Sequence, residues 1–259
     1  MTLSPEDRRA LAEAKRRLER RGLLVTLVDK LGKPIEKGLE LLPESAARVV
    51  QAATRESLER ALRVALTTLR RRERTASSDR GHRLASAASG AIGGWFGLAG
   101  LSVELPVTTV LMLRSIADVA RSEGHDLADV EVQLACLEVF ALGGPSDDDD
   151  AADTGYFAVR AALAAALSDA ARHVALHGAS LRGAPALLRL LERLAVRFGV
   201  VVQDKVLLEA APVVGAAGGA LVNTVFLTHF QELARGHFAV KRLEQRYGAE
   251  AVQAAYGEV

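Results

Sequence analysis

Apolar residues recur at three- and four-residue intervals along most of the chain. Between residues 44 and 74, for example, Val49, Ala53, Leu58 and Leu62 follow helical spacing. No segment alternates polar and apolar residues in the way that a half-buried strand requires. The pattern therefore predicts an all-α fold, a single bundle of many helices with glycine-rich apolar helices in its core and no sheet.

Capping residues divide this pattern into regions. Ser4 followed by Pro5 predicts the start of a basic N-terminal helix, which should stop at Gly22. We therefore divide the chain into a basic N-terminal helix (1–22), a main helical domain (23–248) and a C-terminal tail helix (249–259).

Prolines, glycines and acidic caps set the helix boundaries inside the main domain. Asp126, with Asp129 three residues on, predicts a helix start, and Gly143 followed by Gly144 and Pro145 predicts the end of that helix. Because a residue that precedes proline disfavours the helical conformation, we expect two helices or a kink between Glu104 and Pro106. The other predicted helices span 156–177, 185–198, 200–210, 212–235 and 237–247.

Two apolar segments carry small residues at four-residue spacing. Gly90 and Gly94 form one such stripe, and Gly215 and Gly219 form the other. Glycine costs about 1 kcal/mol in a helix relative to alanine, and close approach of two backbones offsets that cost. We predict that these glycines pack helices in a buried core, and shallow membrane insertion or full spanning stays open. A carboxylate, Glu104, in the first segment counts against spanning.

A few charged residues lie in apolar surroundings. Arg114 and Asp118 share a helix face, which we expect to point to the interior, with Glu104 and Glu138 as acidic partners by pattern. One interpretation is a structural ion-pair network. The other is a polar floor in an apolar pocket, where Arg114 holds a lipid phosphate or a carboxylate. The candidate ligand-binding residues are Glu104, Arg114, Asp118, Glu138 and Asn223.

Two histidines suggest a different chemistry. His229 and His237 are two turns apart and share a face if their helix continues through Gly236. Together with a carboxylate they are candidate metal ligands, although structural histidines give the same pattern. No phosphate-binding loop or dinucleotide fingerprint occurs, so the sequence names no cofactor.

Composition narrows the setting. The net charge is +1 and aromatic residues make up 4%, which argues against nucleic acid as a partner. Cys136 is the only cysteine, so an internal disulfide is excluded. The N-terminus lacks the apolar core of a secretory signal. We expect a cytoplasmic protein, with peripheral association at the inner membrane left open.

Four blocks, taken in order, support a family resemblance. They are "ELPVTTVLMLRSIADVARSEG", "LACLEVFALGGPS", "DTGYFAVRAAL" and "VVGAAGGALVNTVFLTHFQELARGHFAVKRLEQRYG". Together they resemble the EcsC protein family, with the likeness running from about Leu23 to Gly248. The resemblance implies a hydrophobic, membrane-associated helical protein of a bacterial family, named after an operon that also encodes an ABC transporter. It marks the following motif positions without assigning roles: Glu104, Arg114, Asp118, Glu138, Tyr156, Arg160, Asn223, His229, His237 and Glu244.

The sequence thus favours a membrane-associated helical protein without catalysis. It would bind lipid, another apolar ligand or a membrane protein partner. One alternative is a metal-dependent hydrolase that uses His229, His237 and buried carboxylates. A second alternative is an interaction scaffold, a homo-oligomer packed through Gly215 and Gly219.

Overall fold

The computed structural model describes residues 3–19, 44–69, 98–143, 155–181, 183–210 and 215–259. These ranges contain eight helices and no strand, which confirms the all-α prediction. In chain order the helices are α1 (Pro5–Leu18), α2 (Glu44–Thr68), α3 (Leu98–Ser122), α4 (Val130–Leu142), α5 (Gly155–His177), α6 (Pro185–Ala210), α7 (Gly215–Tyr247) and α8 (Ala249–Glu258).

Several helix ends follow the predicted capping chemistry. The Ser4 hydroxyl accepts a hydrogen bond from the Asp7 backbone N–H at 3.1 Å and starts α1. The start predicted at Asp126 is wrong by three residues, because the Asp126 carboxylate accepts from the Ala128 N–H in the preceding turn. The Asp129 carboxylate instead accepts from the Glu131 N–H at 2.8 Å and caps α4, which ends as predicted with Gly143 as its C-cap. The predicted stop of the first helix at Gly22 lies outside the described residues.

Two helices that we expected to be divided are continuous. Pro106 lies inside α3, so of the two alternatives expected there, two helices or a kink, the division into two helices is wrong. The neighbours of Pro106, Leu105 and Thr108, are fully buried. Burial of this face outweighs the one backbone hydrogen bond that proline removes. Similarly, the two predicted helices 185–198 and 200–210 are the single helix α6.

The predicted break at Gly236 is also wrong, because α7 continues through it. A Cβ atom at Gly236 would lie 2.7 Å from the Leu18 Cγ and 3.0 Å from the Ala14 carbonyl oxygen. Glycine is therefore required here for the close approach of α1 rather than for a helix end. The sequence signal was correct in marking a special backbone position, but the reason is packing.

The centre of the bundle is α4, which contacts α2, α3, α5, α6 and α7. Ten consecutive residues, 132–141, are buried. A helix that is buried all round must be apolar all round, and α4 is so except at Gln133 and Glu138. The Gln133 amide is satisfied by the Leu127 carbonyl at 2.8 Å. Glu138 is the one carboxylate on this buried stretch.

The longest helix, α7, spans 33 residues, or about 50 Å, and runs parallel to α3. Side-chain hydrogen bonds join the two helices between Glu104 and Asn223 and between Ser115 and Gln231. Just after the end of α3, the His125 side chain bonds to the Phe238 carbonyl oxygen of α7. Near its start, α7 also contacts α6 at Lys205. One helix therefore passes both of the polar clusters described below.

A second, smaller core joins the two ends of the chain. Leu11 of α1, Val240 of α7 and Tyr256 of α8 are buried together. The tail helix α8 follows Gly248, whose positive φ of 87° lets the chain turn between two helices.

The glycine stripes are only partly visible. Gly90 and Gly94 lie outside the described residues, while Gly215 and Gly219 occupy the first turns of α7. Their packing roles stay predictions. In the described ranges, no helix combines the length and apolar character needed to cross a bilayer.

Candidate functional site

Two clusters of buried polar side chains lie against α7. The Glu104 cluster consists of Glu104, Thr108, Lys205 and Asn223. The Glu138 cluster consists of Glu138, Tyr156 and His237. Asn223 and His237 are 14 residues apart, which corresponds to about 21 Å along the helix.

The Glu104 cluster is a buried ion pair with additional hydrogen bonds. The Lys205 ammonium donates to both Glu104 carboxylate oxygens, at 2.9 and 3.2 Å. The Asn223 amide donates to Glu104 Oε1 at 2.8 Å, and the Thr108 hydroxyl donates to the same oxygen at 3.3 Å. Lys205 is 0% exposed. Because both charges are removed from water, the pair depends on these bonds to offset a large desolvation cost.

Lys205 takes the role that the sequence analysis gave to Arg114. The expectation that Arg114 faces the interior is wrong, since its side chain is exposed. Asp118 is buried as predicted, and it forms an ion pair with Arg121, at 3.0 Å one turn away on the same helix. The missed signal was a single lysine among the apolar residues of "VVVQDKVLLEA", where burial demands an acidic partner.

The face shared by Arg114 with Val107 and Val110 is an outward stripe of α3, not a core face. We call it the α3 stripe, and it consists of Val103, Val107, Val110, Leu111 and Arg114. Val103 is 69% exposed and Val107 is 46% exposed. The valines suggested burial because apolar residues at helical spacing usually face a core. Here the opposite face of α3, with Leu105, Thr109 and Ile116, packs inward.

The Glu138 cluster is buried but incompletely hydrogen-bonded. The Tyr156 hydroxyl lies 3.0 Å from His237 Nδ1. On the other side of the ring, His237 Nε2 lies 3.5 Å from Glu138 Oε2, which is longer than an ordinary hydrogen bond. Within the described part of the chain, His237 Nε2 has no hydrogen-bond partner. A hydroxyl that donates to Nδ1 leaves the ring proton on Nε2, which faces Glu138.

Burial shifts every titration in this cluster toward the neutral form. Burial raises the pKa of Glu138, although the positive charges of Lys241 and Arg160 partly oppose it. Burial lowers the pKa of His237 well below its ordinary value, and Lys241 and Arg160 lower it further. The pKa of the Tyr156 hydroxyl is raised by the same cause. Charge is therefore costly in this cluster, in contrast to the Glu104 cluster.

Glu138 also lines a pocket of about 730 Å³ between α4 and α5, which we call the α4–α5 pocket. Its walls are largely apolar, with Leu134, Ala135 and Leu167. Two cationic residues, Arg172 of α5 and Lys241 of α7, also line it. Lys241 is one helical turn from His237 and therefore shares its face of α7.

The two candidate metal ligands occupy different surroundings. His237 is fully buried in the Glu138 cluster, whereas His229 is half-buried next to Phe230. No group of three or more His, Cys, Asp or Glu side chains suited to hold a metal ion occurs in the six described ranges. These ranges therefore do not assemble the ligand set on which the metal-dependent hydrolase depends.

Several motif positions that are far apart in sequence come together. Arg160 and Glu244 form a two-bonded ion pair at 2.6 and 2.8 Å, and the Arg160 guanidinium lies 5.3 Å from the Tyr156 ring centre. This pair lies next to the Glu138 cluster. Of the candidate ligand-binding residues, Glu104 and Asn223 meet in one cluster, while Glu138 lies in the other and Asp118 and Arg114 lie in neither.

The family comparison agrees with the residues that carry the resemblance. The model of the EcsC protein family matches residues 6–243, a range that includes both polar clusters and also α1. No curated protein and no solved structure matches the chain.

Proposed function

This chain belongs to the EcsC protein family, and from that premise we propose that it binds the surface of a lipid bilayer without catalysing a reaction. The α3 stripe is the surface that contacts the bilayer. The Glu104 cluster stabilises the inner side of the same helix segment. The protein lies on the membrane rather than crossing it.

The observation that carries this proposal is the order of residues along the α3 stripe. Val103 and Val107 are exposed large apolar side chains, and Val110 and Leu111 continue them as half-buried neighbours. Exposed valines one turn apart favour transfer into the apolar part of a membrane interface.

Arg114 extends the stripe with a cation. No ion pair or hydrogen bond of Arg114 is found among the described residues, so its guanidinium is available to an external anion. It follows Val110 by four residues, so it lies on the same side of α3. An apolar stripe that ends in an arginine fits the boundary between acyl chains and lipid phosphates.

The buried bonds of Glu104 explain how the start of α3 is held in place although its outer face is apolar. Glu104 lies directly next to Val103 in sequence, and it is bonded to Lys205 of α6 and Asn223 of α7. These bonds fix the start of α3 to two other helices. The outward direction of Val103 and Val107 is thereby set before any membrane is present.

Vesicle flotation tests the proposal. The full-length protein should float with vesicles that contain anionic phospholipid. The double variant Val103→Glu/Val107→Glu should reduce the partition coefficient at least about tenfold, because two buried apolar contacts are replaced by charges. Arg114→Gln should reduce it by about fivefold, and only on anionic vesicles.

Leu176→Glu is the matched control. Leu176 is 71% exposed, similar to Val103, but belongs to α5. The Leu176→Glu variant should float as the unaltered protein does. Absence of flotation, or equal loss in the control, contradicts the proposal. If the valine substitutions change the mass in light scattering and leave flotation unchanged, the α3 stripe is a subunit interface instead.

A further inference from the structure

We infer that the α4–α5 pocket binds a small zwitterion that carries a protonated primary amine and an anionic group. The amine would bind Glu138 at the floor of the pocket, and the anionic group would bind Lys241 and Arg172 at its wall. This inference does not depend on membrane binding by the α3 stripe.

The floor of the pocket provides the first argument. Glu138 lines the pocket, yet its side chain is only 4% exposed. Within the described residues no hydrogen bond to its carboxylate is found, and His237 Nε2 lies 3.5 Å from its Oε2 atom. A buried carboxylate without hydrogen bonds is unfavourable, and each is normally satisfied by a partner. The open side of Glu138 is the pocket, so an external donor can supply that partner.

His237 provides the second argument. Its Nε2 is fully buried and has no hydrogen-bond partner in the described ranges. An ammonium that binds the carboxylate from the pocket favours the ionised form of Glu138, and an ionised carboxylate attracts the Nε2–H group across the 3.5 Å gap more strongly than a neutral one does. Binding of the amine therefore improves the surroundings of both side chains.

The charged residues on the wall of the pocket indicate which second group the ligand carries. Arg172 and Lys241 both line the pocket, and neither forms an ion pair among the residues that the structure describes. Two further carboxylates, Asp129 and Glu131, line it at the exposed start of α4, so Glu138 is the buried carboxylate among the lining residues. Two cations and one buried carboxylate in the same pocket match a ligand with charges of both signs.

The position of the pocket indicates a ligand from solution rather than a lipid headgroup. Lys241 lies 18 residues after Asn223 on α7, or about 27 Å along the helix. Asn223 is bonded to Glu104, the neighbour of Val103, so it marks the start of the α3 stripe, which extends toward the level of Gln231. No residue of α3 lines the pocket, so the pocket and the proposed membrane contact are separate surfaces.

Isothermal titration calorimetry of the full chain with phosphoethanolamine tests the inference. Phosphocholine is the matched ligand control, because its quaternary nitrogen has no N–H to donate. Ethanolamine, which lacks the anionic group, is the second. Phosphoethanolamine should bind at least about tenfold more tightly than either, since each control removes one charged hydrogen bond.

Variants locate the binding to the pocket. Glu138→Gln and Lys241→Met should each weaken phosphoethanolamine binding at least about tenfold. Ala171→Leu, which adds volume to the pocket wall and leaves both charges in place, should abolish it. The Ala171 variant keeps the test decisive if Glu138→Gln fails to fold.

Three outcomes would overturn the inference. They are no binding of phosphoethanolamine, equal binding of phosphocholine, and binding that Glu138→Gln and Ala171→Leu leave unchanged. Competition by vesicles of phosphatidylethanolamine would assign the pocket to a lipid headgroup and overturn its assignment to a dissolved ligand.

Discussion

Two glutamates, Glu104 of α3 and Glu138 of α4, are both buried beside α7, but their surroundings differ in kind. Glu104 receives hydrogen bonds from an ammonium, an amide and a hydroxyl, all within 3.3 Å. Glu138 has only a histidine nitrogen at 3.5 Å. The first is a charge that the fold neutralises by itself. The second is a group for which the fold provides a pocket but no complete partner.

The hydrogen bonding of these two glutamates distinguishes a structural role from a binding role more clearly than their burial does. Both side chains are below 10% exposed, so exposure alone does not distinguish them. What distinguishes them is whether their hydrogen bonds are complete within the described residues. Each prediction below tests this contrast, from the largest expected effect to the smallest.

Removal of the Glu104 charge should have the largest effect on folding. Glu104→Gln removes the carboxylate to which the buried Lys205 ammonium donates two hydrogen bonds, and we expect a loss of about 3–5 kcal/mol in the free energy of unfolding. Chemical denaturation at pH 7 measures it. Glu59→Gln is the control, because it breaks an exposed pair with Arg55 on α2 and should cost about 0.3–0.5 kcal/mol. Similar losses in both variants would show that the buried pair is not special.

Removal of the Tyr156 hydroxyl should have an intermediate effect. Tyr156→Phe leaves the buried His237 Nδ1 without its 3.0 Å partner, which should cost about 1–3 kcal/mol. The control is Tyr247→Phe, which removes a hydroxyl bonded to Asp7 near the surface, where water replaces the bond. Thermal unfolding should rank the two losses in this order, and the reverse order would contradict the predicted importance of the Glu138 cluster.

Glu138→Gln should change the stability of the fold in the opposite direction to Glu104→Gln. Because burial raises the pKa of Glu138, the folded state loses stability as the pH rises from the ordinary glutamate value toward the raised one. Glu138→Gln removes this cost, so the variant should be more stable than the unaltered protein at pH 8. A loss comparable to that of Glu104→Gln would remove the contrast between the clusters.

The smallest expected effect is on the loss of folding stability at acid pH. Burial, Lys241 and Arg160 lower the pKa of His237, so the unfolded chain binds the proton more readily. Stability should therefore be complete above pH 6.5 and decrease as the pH falls below that value. His237→Gln should flatten this part of a plot of unfolding free energy against pH. Some slope should remain, because burial also lowers the pKa of His125. An unchanged slope would mean that His237 does not titrate as a buried neutral ring.

The sequence predicted the helices better than it predicted their interruptions. Caps such as Ser4 and Asp129 act locally, so their effects can be read from neighbouring residues. Gly236 and Pro106 were interpreted as helix ends because both residues disfavour a helix by themselves. Packing of α1 at Gly236, and burial of α3 around Pro106, come from segments distant in sequence and override the local preference.

The candidate site was also predictable only where local sequence decides it. The apolar surroundings of Glu104 show that it needs a partner. They do not show which residue the partner is, because Lys205 lies 101 positions away in the sequence. Arg114 was assigned to the interior because its neighbours are apolar, and periodicity does not state which of two apolar faces is the core. The family resemblance marked Glu138, Tyr156 and His237 together, although only the fold brings them within contact.

The parallel contact of α3 and α7 has a mechanical consequence. Two hydrogen bonds join the helices, at Asn223 and Gln231, and a third joins His125, in the turn after α3, to Phe238. A slide of α3 along α7 by a single turn, about 5.4 Å, would break all three at once. The three bonds therefore oppose sliding of α3 along α7.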